Sequence, residues 1–223
     1  MPKRGPDLRD FFTVVKKDSP KNKRCRIDLD EELSQCVEMV EHFVDDPSDV
    51  YDKLMEELNL KQETITLQGK VHLQPRLTSV HADDVTRSGR SKVDPRWNTT
   101  VHPMTPTLIL LQKHIEKEMG LRLDFVVANF YRDGHDRIGP HADKPYGQPA
   151  ADNMDIVSLS FGSERTFRMK HVDDGRLVFD RKLKSGSMLW MKGRCQQLYK
   201  HEVPREVKVL GGRLNLTFRN YVY

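Results

Sequence analysis

Residues 213–219 read RLNLTFR, and polar and apolar side chains alternate strictly along this stretch. Because successive side chains of a β-strand point to opposite faces, Leu214, Leu216 and Phe218 would share one face of a strand. Further segments of similar length and composition precede it, separated by Gly, Asp or Pro turns. The predicted strands are residues 123–131, 156–161, 166–170, 176–183, 188–191, 198–203 and 214–221. Many short strands at this spacing favour a β-sandwich or barrel.

The best-marked helix lies just before these strands. Thr105 is placed to cap it, Pro106 to occupy its first turn and Gly120 to end it, and apolar residues recur between them with a period near that of a helix. We therefore predict an α+β fold, with helices first and a jelly-roll-like half after them.

Shorter elements are expected nearer the N-terminus. Apolar positions over residues 30–44 follow helical spacing, although a strand through residues 37–43 is the alternative. Ser48 is expected to cap a second helix. Residues 64–73 indicate a hairpin, and the polar residues 77–103 indicate a long surface loop.

The composition is that of a globular domain with a polar surface. Of the 223 residues, 37% are hydrophobic and 31% charged. The longest apolar runs, such as Leu108–Leu111, are too short to cross a bilayer, and no apolar leader follows Met1, so we expect neither a membrane span nor secretion. Three widely spaced cysteines fit a reducing compartment.

The basic charge is concentrated at the N-terminus. Residues 1–26 contain nine Lys or Arg and three Asp or Glu, whereas the whole chain has a net charge of only +4. We therefore divide the chain into a flexible basic tail, residues 1–27, and one domain, residues 28–223. A solvated tail is one interpretation, and a nuclear-import or nucleic-acid-binding arm is the other.

The pair His141-x-Asp143 indicates a metal site. On an extended strand, residues two apart point to the same face, so both side chains would face one ion. His201, on another predicted strand, would complete a set of two histidines and one carboxylate. Such a set occupies one face of iron(II) and leaves the other positions free for a co-substrate and dioxygen. The pair by itself is common in proteins and does not establish a site.

The polar face of residues 213–219 carries Arg213, Asn215, Thr217 and Arg219. One interpretation is an ordinary solvated strand face with two arginines. The other is a pocket wall, on which a guanidinium group binds a carboxylate through paired hydrogen bonds.

Together these residues resemble the motifs of the AlkB family of iron(II)/2-oxoglutarate dioxygenases. The matching pattern is Asn129-x-Tyr131-x-x-Gly134-x-Asp136, His141-x-Asp143, His201 and Arg213-x-Asn215-x-Thr217-x-Arg219. The resemblance extends over residues 64–221 in order, spacing and residue type. Within the family, the chain resembles the eukaryotic homologues that repair alkylated nucleic acid, the human second and third types.

The resemblance implies a double-stranded β-helix core and an oxidative enzyme. His141, Asp143 and His201 would bind Fe(II). The residues expected to hold 2-oxoglutarate are Asn129, Tyr131, Arg213, Asn215, Thr217 and Arg219. With O2, such an enzyme demethylates N1-methyladenine and N3-methylcytosine in DNA and releases formaldehyde, succinate and CO2. The alternatives are the same chemistry on RNA, or a catalytically weak member that binds nucleic acid.

The resemblance also implies a nucleotide-recognition hairpin and lid at residues 62–104. Leu67, Gln68 and Gly69 would form the hairpin tip, where relatives that repair duplexes carry an aromatic finger. An apolar wedge at this tip would fill the gap that a flipped base leaves. The other residues expected to contact the substrate are Arg76, Lys144 and His81, whose imidazole would stack on the base.

Nucleic acid is the expected partner, DNA before RNA, and we expect a monomer without membrane association. Leu8, Phe11 and Phe12 lie within one helical turn and would form a small apolar plug suited to another protein's groove. They resemble the sliding-clamp-binding box, although Gly5 stands where that box has Gln. The expected location is the nucleus, with the cytoplasm as the alternative.

Overall fold

A computed structural model describes residues 24–67, 69–83, 100–143 and 154–220, apart from the side chain of Leu67. The strands are β1 (Cys25–Arg26), β2 (Val37–Glu41), β3 (Thr64–Leu67), β4 (Lys70–Leu73), β5 (Leu77–Ala82), β6 (Val101–Pro103), β7 (Phe125–Tyr131), β8 (Ile138–His141), β9 (Ile156–Gly162), β10 (Arg165–His171), β11 (Leu177–Leu183), β12 (Met188–Met191), β13 (Tyr199–Val203) and β14 (Arg213–Arg219). The helices are α1 (Glu31–Ser34), α2 (Pro47–Glu57), α3 (Pro106–Met119) and α4 (Cys195–Leu198).

The strands form two facing sheets and a separate hairpin. The large sheet has the order β1-β2-β12-β9-β14-β7-β5-β6, the small sheet has the order β11-β10-β13-β8, and β3 pairs with β4. Met39 and Ile156 from the large sheet and Phe167 and Met169 from the small sheet belong to one buried cluster. The two sheets therefore share a core, and the α+β jelly roll that the sequence predicts is confirmed.

Helices α2 and α3 cover the outer face of the large sheet. Leu54 of α2 and Ile115 of α3 are fully buried, and they belong to a cluster with the apolar side chains of β7, β9 and β14. The apolar face of β14 is thus packed against helices. Since side chains alternate along a strand, its polar face points the other way, toward the small sheet.

The helix predicted after Thr105 is confirmed, including its ends. The Thr105 side chain accepts a hydrogen bond from the Leu108 backbone N–H, and Pro106 lies in the first turn. Gly120 ends the helix with φ of 67°, a left-handed conformation that glycine adopts without steric cost.

The helix predicted over residues 30–44 is wrong, and the alternative strand is confirmed. Helix α1 has only four residues, and Val37–Glu41 form β2 between β1 and β12. Sheet pairing on both edges and burial of the apolar side chains outweigh the helical spacing, which is a weak local preference. Helix α2 is also capped differently, because Asp46 rather than Ser48 precedes its first residue.

The prediction of one long loop over residues 77–103 is wrong. Leu77–Ala82 form β5 inside the large sheet, between β7 and β6, and residues 84–99 lie outside the described part of the chain. The polar composition of β5 suggested a loop, but Thr78, Ser79 and His81 are all buried. Their burial within a paired strand, rather than exposure to water, explains the failure of the hydropathy argument.

The fold includes part of the predicted tail. Cys25–Arg26 form β1, which pairs with β2, so the structured region begins before the predicted boundary after residue 27. The chain up to residue 23, including Leu8, Phe11 and Phe12, lies outside the described ranges. Among the residues that the structure describes, no helix has both the length and the apolar character needed to cross a membrane.

Candidate active site

The register of the small sheet places two histidines side by side. Strands β8 and β13 are antiparallel, and His141 and His201 are direct partners, with ring centroids 4.3 Å apart. Asp143 follows β8 two residues after His141. One ligand atom from each of these three residues lies within 4.8 Å of the others. The structure thus brings together the three predicted iron ligands. His141 and His201 are 60 positions apart in the sequence, and they are neighbours only because the fold pairs their strands.

Neighbouring groups orient the imidazole rings. Nδ1 of His141 is 2.9 Å from the backbone oxygen of Gly139, so its N–H donates there and Nε2 keeps its lone pair for a metal. That Nε2 is 3.7 Å from Oδ1 of Asp143. The ring of His201 stacks on Phe167, with centroids 5.3 Å apart, and its Nε2 is 3.8 Å from Oδ2 of Asp143.

The electrostatic environment favours the protonation states that a metal requires. Burial alone would raise the pKa of Asp143, but the positive charge of Arg219 and the nearby histidines lower it to about 2. Burial, together with the neighbouring His141, lowers the pKa of His201 to about 3. A carboxylate at Asp143 and a neutral imidazole at His201 are the forms in which these two groups bind a cation.

The polar faces of β7 and β14 form the opposite wall of an open cleft. The cleft lies between the large and small sheets, and together with the open solvent at its mouth it contains about 540 Å³ of empty space. The predicted metal and 2-oxoglutarate residues that line it are Asn129, Tyr131, His141, Asp143, His201, Asn215, Thr217 and Arg219. The interpretation of residues 213–219 as a solvated strand face is therefore wrong.

Arg213 lies behind this wall. It is 1% exposed, and its Nη2 donates to Ser160 Oγ at 2.9 Å and to Asn215 Oδ1 at 2.7 Å. Its Nε and Nη1 have no hydrogen-bond partner within the described residues. Burial lowers the pKa of Arg213 to about 10, so the group is still charged at neutral pH. A buried guanidinium with unsatisfied donors is a site for an anion.

The residues of the cleft fit the iron(II) ion and the 2-oxoglutarate that the sequence implies. Two imidazoles and a carboxylate on one side leave further positions of an iron(II) ion open. On the other side, the Nε atoms of Arg213 and Arg219 are buried without a partner among the described residues. A dicarboxylate such as 2-oxoglutarate would supply the acceptors that both arginines lack.

Two motif residues next to the cleft have structural roles. Asp136 is buried and accepts hydrogen bonds from the backbone N–H and the guanidinium group of Arg132, at 2.8 to 2.9 Å. Gly134 lies so close to the 206–209 loop that an added Cβ would be 1.8 Å from the backbone oxygen of Glu206. Only glycine permits this approach, which explains the glycine of the motif.

The residues predicted to contact the substrate differ in where the structure places them. Arg76 lines the cleft, is 5% exposed and donates from Nε to Asn129 Oδ1 at 2.7 Å. Gly69 lies at the exposed hairpin turn with φ of 75°. The side chain of Leu67, and all of Gln68 and Lys144, lie outside the described part of the chain.

The stacking role predicted for His81 is not supported. His81 is 2% exposed within β5, where its ring nitrogens lie 2.9 Å from Ser79 Oγ and 2.7 Å from the Pro103 backbone oxygen. Burial lowers its pKa, so the ring is neutral. An imidazole held inside the sheet by both nitrogens cannot stack on a base.

Two polar residues that contact the predicted site residues, Ser158 and Gln196, were not predicted from the sequence. Ser158 lines the cleft and donates to Asn215 Oδ1 at 2.9 Å, and Gln196 accepts a hydrogen bond from the backbone N–H of Asp143 at 2.9 Å. Ser158 and Ser160 alternate with apolar residues in β9, and this pattern was an available signal. No such pattern marked Gln196, because its contact with Asp143 depends on where the short helix α4 lies.

The comparisons with known proteins agree with this geometry. The family profile described as the 2OG-Fe(II) oxygenase superfamily matches residues 43–219, which is most of the chain. The chain belongs to this superfamily. Membership implies Fe(II), 2-oxoglutarate and O2, and the ligand atoms of His141, Asp143 and His201 are close enough together to hold a metal ion.

This oxygenase is also similar to AlkB homologues. It is 30% identical to the alpha-ketoglutarate-dependent dioxygenase alkB homolog 3 of Bos taurus, over 79% of this chain and 63% of that protein. It is 31% identical to the DNA oxidative demethylase ALKBH2 of Mus musculus, over 75% of this chain and 74% of that protein. The chain therefore spans less than two thirds of the length of the bovine relative.

A solved structure shares the fold of this oxygenase. The structure of OsALKBH1 aligns with a TM-score of 0.60 at 20% sequence identity and covers 82% of this chain and 97% of that chain. This likeness supports the same arrangement of sheets. The sequence identities above place the chain among the AlkB-type oxygenases.

Proposed function

We propose that this oxygenase is an oxidative demethylase of nucleic acid, with N1-methyladenine and N3-methylcytosine in DNA as its substrates. The observation that carries the proposal is the cleft between the two sheets. One wall holds the His141, Asp143 and His201 cluster, and the other presents Arg219 with Arg213 buried behind it. A metal site opposite an anion site is the arrangement that an iron(II)/2-oxoglutarate enzyme needs.

Each group of residues would have its own task. His141, Asp143 and His201 would hold iron(II), which supplies the oxidising chemistry when 2-oxoglutarate and dioxygen are bound. The guanidinium groups of Arg213 and Arg219 would bind and orient the carboxylates of 2-oxoglutarate. Apolar cleft residues such as Val127, Ile138, Phe167 and Val203 would keep water from the reacting atoms.

The reaction balances with one dioxygen molecule for each methyl group. One oxygen atom enters the N-methyl group and the other enters succinate, while 2-oxoglutarate loses CO2. The C–N bond of the hydroxymethyl product then breaks to release formaldehyde, its electron pair returns to the base nitrogen, and the hydroxyl proton is lost to solvent. A base inside a duplex cannot reach the cleft, so the methylated base has to be flipped out or single-stranded.

The relatives support nucleic acid as the substrate class. The murine relative is named a DNA oxidative demethylase, and its similarity extends over most of this chain. The β3–β4 hairpin also provides an exposed surface near the cleft residue Arg76, because every residue of β4 is exposed. These features support DNA as the first substrate to test, with RNA as the alternative.

The deciding experiment is a formaldehyde-release assay with Fe(II), 2-oxoglutarate and O2. Single- and double-stranded DNA and single-stranded RNA, each with one N1-methyladenine or N3-methylcytosine, are compared. We expect formaldehyde and succinate in equal amounts from DNA, and none from His141→Ala. Turnover confined to RNA would make the enzyme an RNA demethylase. The absence of turnover on all three would exclude the proposal.

Three further features of the proposed enzyme are still predictions. They are a nuclear location, a monomeric state, and binding of a sliding clamp through Leu8, Phe11 and Phe12. The apolar plug lies beside basic clusters in the tail, which is consistent with both import and partner binding.

A further inference from the structure

Asp143 lies where the sheet no longer holds the backbone. Strand β8 ends at His141, so the backbone N–H of Asp143 has no ladder partner in that strand pair. Instead it donates to the side-chain Oε1 of Gln196 at 2.9 Å. A side chain therefore replaces the ladder hydrogen bond at the carboxylate ligand.

Gln196 is held firmly enough to act as a fixed acceptor. Its side chain is 2% exposed, and its Nε2 donates to Sδ of Met191 at 3.3 Å. Met191 itself lines the cleft. A long polar side chain with both ends bonded inside a core has little rotational freedom, so the position of Oε1 is well defined.

The location of Gln196 connects two of the three metal ligands. It belongs to α4 (Cys195–Leu198), and β13 begins directly afterwards and carries His201. Any movement of α4 therefore affects His201 through the chain and Asp143 through the hydrogen bond. The third ligand, His141, is tied to His201 by the β8–β13 register.

We propose that Gln196 is a positioning residue that fixes Asp143 relative to His201 before the metal binds. The inference rests on the proposed iron site and names the residue that orders it. Without this hydrogen bond, Asp143 would have to be ordered at the expense of metal-binding free energy. Metal affinity should therefore fall even though no ligand is removed.

Gln196→Met tests this proposal, because methionine has a similar length but cannot accept the hydrogen bond. Gln197→Met is the matched control on the same helix, since the Gln197 side chain accepts a hydrogen bond from Arg194. Co(II) is titrated into each metal-free protein, and its visible absorption is recorded. We expect the Kd of Gln196→Met for Co(II) to rise about 10-fold. This is the low end of the effect seen when a residue that hydrogen-bonds to a metal ligand is replaced.

A conservative variant separates positioning from packing. Gln196→Glu keeps an accepting oxygen, so it should bind Co(II) more tightly than Gln196→Met. Thermal melts without metal show whether each variant is folded. If Gln196→Met does not fold, Gln196→Asn takes its place, because asparagine is too short to reach Asp143. Equal Kd values for Gln196→Met and Gln197→Met would overturn the proposal. If the unmodified protein does not bind Co(II), the iron site of the proposed function fails as well.

Discussion

At the scale of single residues, Arg213 is the most informative position. It is fully buried, yet two of its three nitrogens lack partners within the described residues. The guanidinium carbons of Arg213 and Arg165 lie 5.5 and 5.6 Å from the centroid of the Tyr131 ring. A buried charge without a counter-ion destabilises the free protein, so its presence is best explained by a bound anion.

We predict that Arg213→Met weakens 2-oxoglutarate binding without destabilising the free protein. Charge-assisted hydrogen bonds contribute about 1.5–3 kcal/mol, so the KM for 2-oxoglutarate should rise about 10- to 150-fold. The melting temperature without ligands should be unchanged or higher, because methionine removes the uncompensated charge. Steady-state kinetics and thermal melts measure the two effects.

Arg168→Met is the control for this prediction. Arg168 is partly exposed and pairs with Asp180 at 3.1 Å, on the strand pair β10–β11. Removal of this surface ion pair should change neither the KM for 2-oxoglutarate nor the melting temperature appreciably. A lower melting temperature for Arg213→Met, with an unchanged KM, would mean that Arg213 is structural.

At the scale of elements, one ion-paired junction holds the loops that flank the metal site. Arg165, at the start of β10, donates to the backbone oxygens of Asp133, Asp136 and Pro204 at 2.7 to 2.8 Å. Glu206 accepts from Arg165 Nε at 3.1 Å and from the Thr166 backbone N–H at 2.8 Å. The junction therefore joins the loop before β8 to the loop after β13.

We predict that this junction makes stability dependent on pH. Burial opposes ionisation of Glu206, but hydrogen bonds from Thr166 and the charge of Arg165 lower its pKa below the usual range. The stabilisation is therefore present above the ordinary glutamate pKa and is lost as the pH falls through the lowered value. Glu206→Gln should cost about 3 kcal/mol at neutral pH, because it leaves buried Arg165 without its counter-ion.

Urea unfolding from pH 7 down to the acid range measures this effect. The difference in unfolding free energy between the unmodified protein and Glu206→Gln should shrink as the pH falls, since the unmodified carboxylate becomes protonated too. Glu164→Gln, at a neighbouring exposed position, is the control and should differ little at any pH. A difference that stays constant with pH would show that the charge of Glu206 is not involved.

At the scale of the whole molecule, the distribution of charge separates the tail from the domain. The first 26 residues hold nine of the 37 basic residues and only three of the 33 acidic ones. The rest of the chain is therefore slightly acidic. If the tail contacts phosphates, much of the nonspecific affinity for nucleic acid comes from residues outside the catalytic fold.

We predict that reversing Lys16, Lys17, Lys21 and Lys23 to glutamate weakens DNA binding and flattens its salt dependence. Each lost phosphate contact should reduce the slope of log K against log salt by roughly 0.9. Fluorescence anisotropy on an unmethylated oligonucleotide at several salt concentrations measures both quantities, whereas the turnover number on a short methylated oligonucleotide should be retained.

A charge-matched variant of the domain is the control. It reverses four exposed lysines of the described residues, Lys113, Lys117, Lys182 and Lys208. If the tail binds DNA, this variant should lose less affinity than the tail variant. An equal loss in both would mean that only net charge matters, and the tail would then be a solvated segment.

Much of the site could be predicted from the sequence, because alternation along a strand is a local property. The polar face of β14 and the His141-x-Asp143 pair were identified from spacing, and three of the four polar residues of β14 are buried, while Arg219 is partly buried. The same local reasoning failed for β5, where polar residues suggested a loop, and for residues 30–44, where the spacing suggested a helix. In both places pairing with distant strands decided the outcome.

By itself, the sequence determined the types of the ligating residues, the strand faces they occupy and the cap residues of α3, since these depend on neighbours a few positions apart. Only the tertiary structure decided that His141 pairs with His201, that buried Arg213 has no ion-pair partner among the described residues, and that Gln196 accepts a hydrogen bond from Asp143. These contacts join segments that are 53 to 60 positions apart. No periodicity encodes them, because they depend on how the two sheets close on each other.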